Sequence, residues 1–169
     1  MNEPVFVLGV DHDITYLAPT IEILEQRLVK GKNALLEIPH EAATWDAKRI
    51  YEKSPFFYVV DRYLKARGAT TVWGDSYALC QKADEEGREL VRCSDGVRSI
   101  FAETRNDTSR FEKELGEISC RERDPRFLAQ VKEHQPDIVI VGDHHAAYLV
   151  REYYAKTKSP YLYHCNHHR

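Results

Sequence analysis

Two short segments place a histidine three residues after a glycine at the end of an apolar run. They are "VFVLGVDHD", with Gly9, Asp11 and His12, and "VIVGDHHAAY", with Gly142, Asp143, His144 and His145. Imidazole is a common ligand of divalent metals, and two imidazoles with one carboxylate form a coordination shell that leaves positions for water and substrate. Glu37, near the end of the apolar segment "NALLEIP", supplies a carboxylate of the right kind. A metal held in this way lowers the pKa of its bound water and polarises a carbonyl or phosphoryl oxygen, so hydrolysis becomes accessible near neutral pH. Glu37 fits either a ligand or a general base acting on that water. Each histidine, taken singly, also fits a plainer role as a turn residue bonded to backbone. Their repetition at two equivalent positions is what points to a metal.

Further groups stand near these. Asp75 in "TVWGDS" follows another apolar run and reads first as a cap for the helix beginning near Ser76. The run "RERD", Arg121 to Asp124, reads first as a solvated helix start. An arginine from it, held near a metal, would bind a carboxylate or stabilise an oxyanion through its planar fork, and periodicity does not say which side chain turns inward. The terminal "YHCNHHR" offers His164, Cys165, His167 and His168. It reads as a fraying end with adventitious metal affinity, outside the site.

The elements that must position these groups follow from the hydrophobic pattern. Strands are expected at Val5–Gly9, "NALLEIP", "ATTVWGD", "PDIVIVG" and "PYLYHC". Helices are expected between them: "ITYLAPTIEILEQRLVKGK", with Ile14, Leu17, Ile21, Leu24 and Leu28 at helical spacing, then "EAATWDAKRIYEK", "SPFFYVVDRYLKARG" and "HAAYLVREYYAKTK". "SYALCQKADEEGRELVRC" is helical in composition despite Gly87. In "SCRERDPRFLAQVKEHQ" the helix is expected to begin with Asp124 as cap and Pro125 in its first position. Residues 94–116 are polar and read as a mobile loop region with short helices. This alternation predicts an α/β fold, a single domain over residues 1–169 with a mainly parallel sheet of about five strands and helices on both faces. In such a sheet the strand carboxyl ends share one edge, and ligands bind there.

Composition narrows the function classes. A chain of 169 residues with 43% hydrophobic and 30% charged residues can bury one core without staples. Its net charge of −3, with Lys and Arg dispersed among acids, gives no broad attraction to nucleic acid or anionic membrane. No apolar run approaches the roughly 20 residues of a membrane span, and no basic segment precedes the first apolar stretch, so a cytoplasmic location is expected. The four cysteines form no Cys-x-x-Cys pair and read as reduced thiols. The chain should fold alone or as a simple oligomer such as a homodimer.

Together the stretches "GVDH", "LLEIPHE", "RERDPRFLAQV" and "VIVGDHH" resemble, in that order, the TraB/PrgY, TIKI-protease and erythromycin-esterase/ChaN-like superfamily. The resemblance runs over nearly the whole chain and is carried by these four stretches. It implies His12 and His145 as metal ligands with Glu37 as ligand or base, a divalent metal cofactor of unspecified identity, and Arg123 as an electrostatic partner. Glu122 and Asp124 would support that arginine, and Asp11, Asp75, Asp143 and His144 would complete the surroundings. The implied activity is metal-dependent hydrolysis of a peptide or small-molecule substrate at an amide or ester bond. Other branches are linked to ester hydrolysis, haem binding or no established activity, and the rival expectation for this chain is a non-catalytic module that binds a small anion, metal or haem at the same edge, or that signals. The departures are a chain shorter than many members and an added His144.

Overall fold

The computed structural model describes residues 3–27, 29–101 and 106–166, and among these the side chains of all but 93–101 and 106–112. The apolar, β-branched run at the amino end forms β1, Val5–Val10, buried along nearly its whole length as a central parallel strand must be. A 3-10 turn, Ile14–Tyr16, leads into α1, Leu17–Glu25. Then come β2, Asn33–Pro39, a second 3-10 turn at His40–Thr44, and α2, Ala47–Lys53, whose Asp46 cap accepts the Arg49 N–H at 2.8 Å. Helix α3, Pro55–Ala66, starts on its proline and stops before Gly68, where φ is +83°, a value glycine adopts without strain. Strand β3 is Thr70–Asp75.

The second half begins with α4, Tyr77–Phe101, and α5, Asn106–Cys120, two long helices where the sequence reading expects a loop region with short helices across 94–116. Their shared amphipathic pairing, invisible to a scan for turn residues, accounts for the difference. Helix α4 runs through Gly87 unbroken. Helix α6, Arg123–His134, begins two residues before the predicted first position, with Glu122 at the cap and making no side-chain cap bond. Asp124 is therefore free for another partner, and Pro125 still falls in the first turn, where its missing N–H costs nothing. Strand β4, Ile138–Gly142, leads directly into α7, Asp143–Leu149, which continues through a π-helical stretch, Val150–Tyr154, to α8, Ala155–Thr157, and β5, Tyr161–Cys165.

All five strands are parallel, in the order β3-β2-β4-β1-β5. The chain travels one way from β1 through β2 to β3, then returns to β4 and crosses β1 to β5. The helices change faces with that reversal, as a uniform crossover hand requires. On one face Phe6, Leu8, Leu36 and Ile140 pack with Leu24, Phe56 and Leu64. On the other Val7, Leu35, Val139 and Val141 pack with Phe127, Val131 and Leu149. The buried Asp61 carboxylate ties α3 to β3, accepting from Lys65 at 2.9 Å, Thr71 at 2.6 Å and Trp73 at 2.9 Å. Among the described residues no helix is long and apolar enough to cross a membrane.

Candidate functional site

Strand β4 lies between β2 and β1, so the ends of these three strands are neighbours. The connections after β2 and β4 leave in opposite directions, which opens a crevice at their carboxyl ends. Into this edge the sequence delivers Asp11 and His12 after β1, Glu37 from β2, and Gly142 to His145 from β4 and α7. Alternation in β2 sends Leu36 and Ile38 toward α3. Glu37 therefore turns to the opposite face, beneath the starts of α6 and α7. The β2/β3 register shifts between Leu36 and Pro39, at the point where this side chain is presented.

The glycines of the two repeated motifs allow close approach of neighbours, and neither sits at a positive φ. A Cβ at Gly9 would lie 2.5 Å from Asp143 Oδ1, and one at Gly142 would lie 3.1 Å from Glu37 Oε2. Gly142 also donates its N–H to that Glu37 oxygen at 2.5 Å.

Arg123 is the centre of the charge network. Its Nε and Nη2 grip Asp75 in a bidentate fork at 3.1 and 2.6 Å, Nη1 donates to Ser119 Oγ at 3.3 Å, and Nη2 also bonds Glu37 Oε1. The side chains are 12% exposed for Arg123, 7% for Glu37 and 3% for Asp75, so this network is held out of water. Burial alone would push the Glu37 carboxyl up, yet the charges of His145 and Arg123 and the Gly142 N–H bond outweigh it and hold the carboxyl below its usual range. Burial also opposes the charge on Arg123, and Glu37 and Asp75 overcome it.

His145 is buried, donating Nδ1–H to Asp124 Oδ1 at 2.6 Å and turning Nε2 toward Glu37 Oε1 at 3.7 Å. Burial lowers its proton affinity, but the bonds to Asp124 and Cys120 and the Glu37 charge raise the pKa to about 10. The imidazole is thus cationic at neutral pH and bridges two carboxylates. Cys120 Sγ, an Asp124 oxygen and a His145 nitrogen lie within 4.8 Å of one another, and this Cys/Asp/His group could hold a metal ion. Thiolate, carboxylate and imidazole together suit zinc or another borderline divalent ion. An ion would take the place of the proton that His145 now donates to Asp124, and Cys120, half-buried, would lose its own.

The expected residues converge in part. Asp11, His12, Glu37, Arg123, Asp143, His144 and His145 all line one cavity of about 620 Å³, together with Ser119 and Cys120. His12 is exposed, with its ring 5.8 Å from that of Phe57. Of the expected ligands, only His145 belongs to the compact donor group. Asp75 does not cap α4. It accepts the Ser76 N–H but spends both oxygens on Arg123, while Glu41, from the turn after β2, accepts from Ser76 Oγ and the Tyr77 N–H at 3.0 Å each. A longer carboxylate from the turn after β2 serves the helix end, which leaves Asp75 to the guanidinium. Glu122 turns away and pairs with Lys82 at the surface. Asp143 accepts from the Tyr163 hydroxyl at 2.5 Å and the Cys165 thiol at 3.0 Å, so Cys165 is a structural neighbour here. His167 and His168 lie outside the described residues.

Cys120 is the functional candidate that motif reading passes over. Its spacing of four from Asp124, with a helix break between, is the only trace the sequence carries of their meeting. Set against family models, curated proteins and solved structures, the chain finds no match in any of the three comparisons.

Proposed function

We propose that the protein is a metal-dependent hydrolase of peptide, amide or ester bonds, with its site at the carboxyl edge between β2 and β4. The observation that carries this reading is that Cys120 and His145 of the donor group, the latter bonded to its third member Asp124, line the same cavity as His12, Glu37 and Arg123. These groups come from distant parts of the chain, and a purely structural ion pair would not need them to share a cavity. The ion would be held by Cys120, Asp124 and His145. Bound there, it would supply a nucleophilic water and polarise the scissile carbonyl.

The remaining residues do the rest of the work from the protein side. Glu37, ionised and fixed by Gly142 and Arg123, keeps His145 and the guanidinium in place. Arg123, already neutralised by two carboxylates, faces the cavity as a positioned dipole for the charge that develops on a carbonyl oxygen. His12, exposed just after β1, lines the cavity and can deliver a proton to the leaving group. The resemblance of "GVDH", "LLEIPHE", "RERDPRFLAQV" and "VIVGDHH" to the TraB/PrgY, TIKI-protease and erythromycin-esterase/ChaN-like superfamily supports the same reading.

One observation favours a second reading, a non-catalytic module that binds a metal, small anion or haem at this edge. Glu37, Asp75 and Asp124 are each already satisfied inside the protein. Metal analysis of untagged protein joined to a hydrolase screen separates the two. Bound metal with turnover, both lost in His145→Ala, supports the hydrolase. Bound ligand without turnover on amide or ester panels rejects it in favour of the module.

A further inference from the structure

The cavity at the site meets another over Glu37 and Arg123. A second, of about 600 Å³, shares His12, Glu37, Ser119 and Arg123 with the first and extends toward α3 and α4. Each is of a size that accepts a small molecule, and the shared residues make them two arms of one cleft. Their charges differ. Beyond the shared residues, the first arm carries the carboxylates of Asp11 and Asp143 and no Lys or Arg, and the His145 cation there already faces Asp124 and Glu37. The second carries Lys53 and Arg88 beside an apolar wall of Pro55, Phe56, Phe57 and Tyr77.

The cations of the second arm are available for a ligand. Among the described residues Lys53 pairs with no carboxylate, and Arg88 gives its Nε to the Asp84 carbonyl at 3.2 Å. Of the carboxylates on that arm, Asp75 is already held by Arg123, which leaves Asp84 as the counter-charge. On the first arm Asp11 uses Oδ1 on the Asp13 N–H at 3.1 Å. It stays exposed at the rim.

We propose that the cleft takes short zwitterionic peptides, with the free amino end beside Asp11 and Asp143 and the terminal carboxylate beside Lys53 and Arg88. The apolar wall then receives the side chain of the carboxyl-terminal residue, and the amide bond crosses the shared residues between the arms. In hydrolysis there, the oxygen of water bonds to the carbonyl carbon, the C–N bond breaks, and a proton passes to the departing amine. Turnover rests on the hydrolase reading above. The charge matching does not, and is tested by binding.

The probes are the dipeptide Ala-Phe, N-acetyl-Ala-Phe and Ala-Phe amide, titrated calorimetrically into the full chain with zinc present, while free Phe is followed by chromatography. Each blocked terminus removes one charge-assisted contact and should weaken binding by about tenfold or more. The double variant Lys53→Met/Arg88→Met should lose the preference for Ala-Phe over its amide and keep the preference over the acetylated form. Asp11→Asn should do the reverse. Equal binding of free and blocked dipeptides, no binding of any at millimolar concentration, or unchanged preferences in these surface variants would overturn the proposal. Selective binding without release of Phe supports it and contradicts the hydrolase reading instead.

Discussion

Arg123 is where the account can be pressed hardest by a single substitution. Arg123→Met keeps the length and apolar stem of the side chain but removes the charge that faces Glu37 and Asp75, whose side chains are only 7% and 3% exposed. Two carboxylates are then left in a site of low dielectric, Glu37 with the His145 cation and the Gly142 N–H as compensation and Asp75 with the Ser76 N–H and the Cys80 thiol. Breaking a buried pair from one side costs about 3–5 kcal/mol, against about 0–1 kcal/mol for an exposed pair. For a chain of this size that lowers Tm by roughly 10 °C. The loss should also depend on pH with a definite sign. Arg123 is one of the charges that hold the Glu37 carboxyl below its usual range, so its loss raises the Glu37 pKa, and the penalty is smaller in acid, where Glu37 is protonated, and grows as pH rises. Urea denaturation of wild type and variant at pH 7 and pH 5 measures both effects, with circular dichroism confirming the native fold in water. Adding Glu37→Gln should recover part of the loss, a positive coupling in a double-mutant cycle. A cost below about 1 kcal/mol, independent of pH, would show that the network is solvated and would refute the reasoning.

Other outcomes follow from the same geometry. In metal-free protein, the raised His145 pKa of about 10 contributes stability that is complete below its unfolded value and fades as pH climbs through about 10. Denaturation curves between pH 6 and 10.5 should show that decline in wild type and a much flatter profile in Asp124→Asn. Zinc at about 100 times its Kd should raise stability by about 2.7 kcal/mol, read as a Tm shift, with the shift lost in Cys120→Ser and Asp124→Asn. Gly9→Ala forces a Cβ to 2.5 Å from Asp143 Oδ1 and should cost about 1–3 kcal/mol in urea denaturation, whereas a neutral result would mean α7 is free to move off β1. Asp61→Asn leaves Lys65 without its carboxylate and Trp73 and Thr71 with a weaker acceptor, and should cost about 2 kcal/mol by the same assay.

The sheet was legible because its strands are bounded runs with strong punctuation. "NALLEIP" is β2 residue for residue, and Gly142 ends β4 where expected. Parallel order followed from alternation with helices. What sequence pattern could not supply was anything decided by partners from elsewhere in the chain. The α4/α5 pairing is tertiary, so its polar second half read as loop. The cap of α4 comes from Glu41 across β2, and local propensity favoured Asp75. The same limit shaped the site. Glycine and histidine at equivalent strand ends marked the edge where Glu37, Arg123 and His145 meet. Cys120 closes the donor group from the end of a helix whose position no motif announced.

The reading stands or falls on whether an ion occupies that group. Crystals soaked in zinc and measured across the zinc absorption edge give the most direct answer. The account predicts an anomalous peak bounded by Cys120, Asp124 and His145, with His12 and Glu37 facing it across the cavity. A map with no peak there, or with zinc gathered only at the terminal histidines, would contradict it.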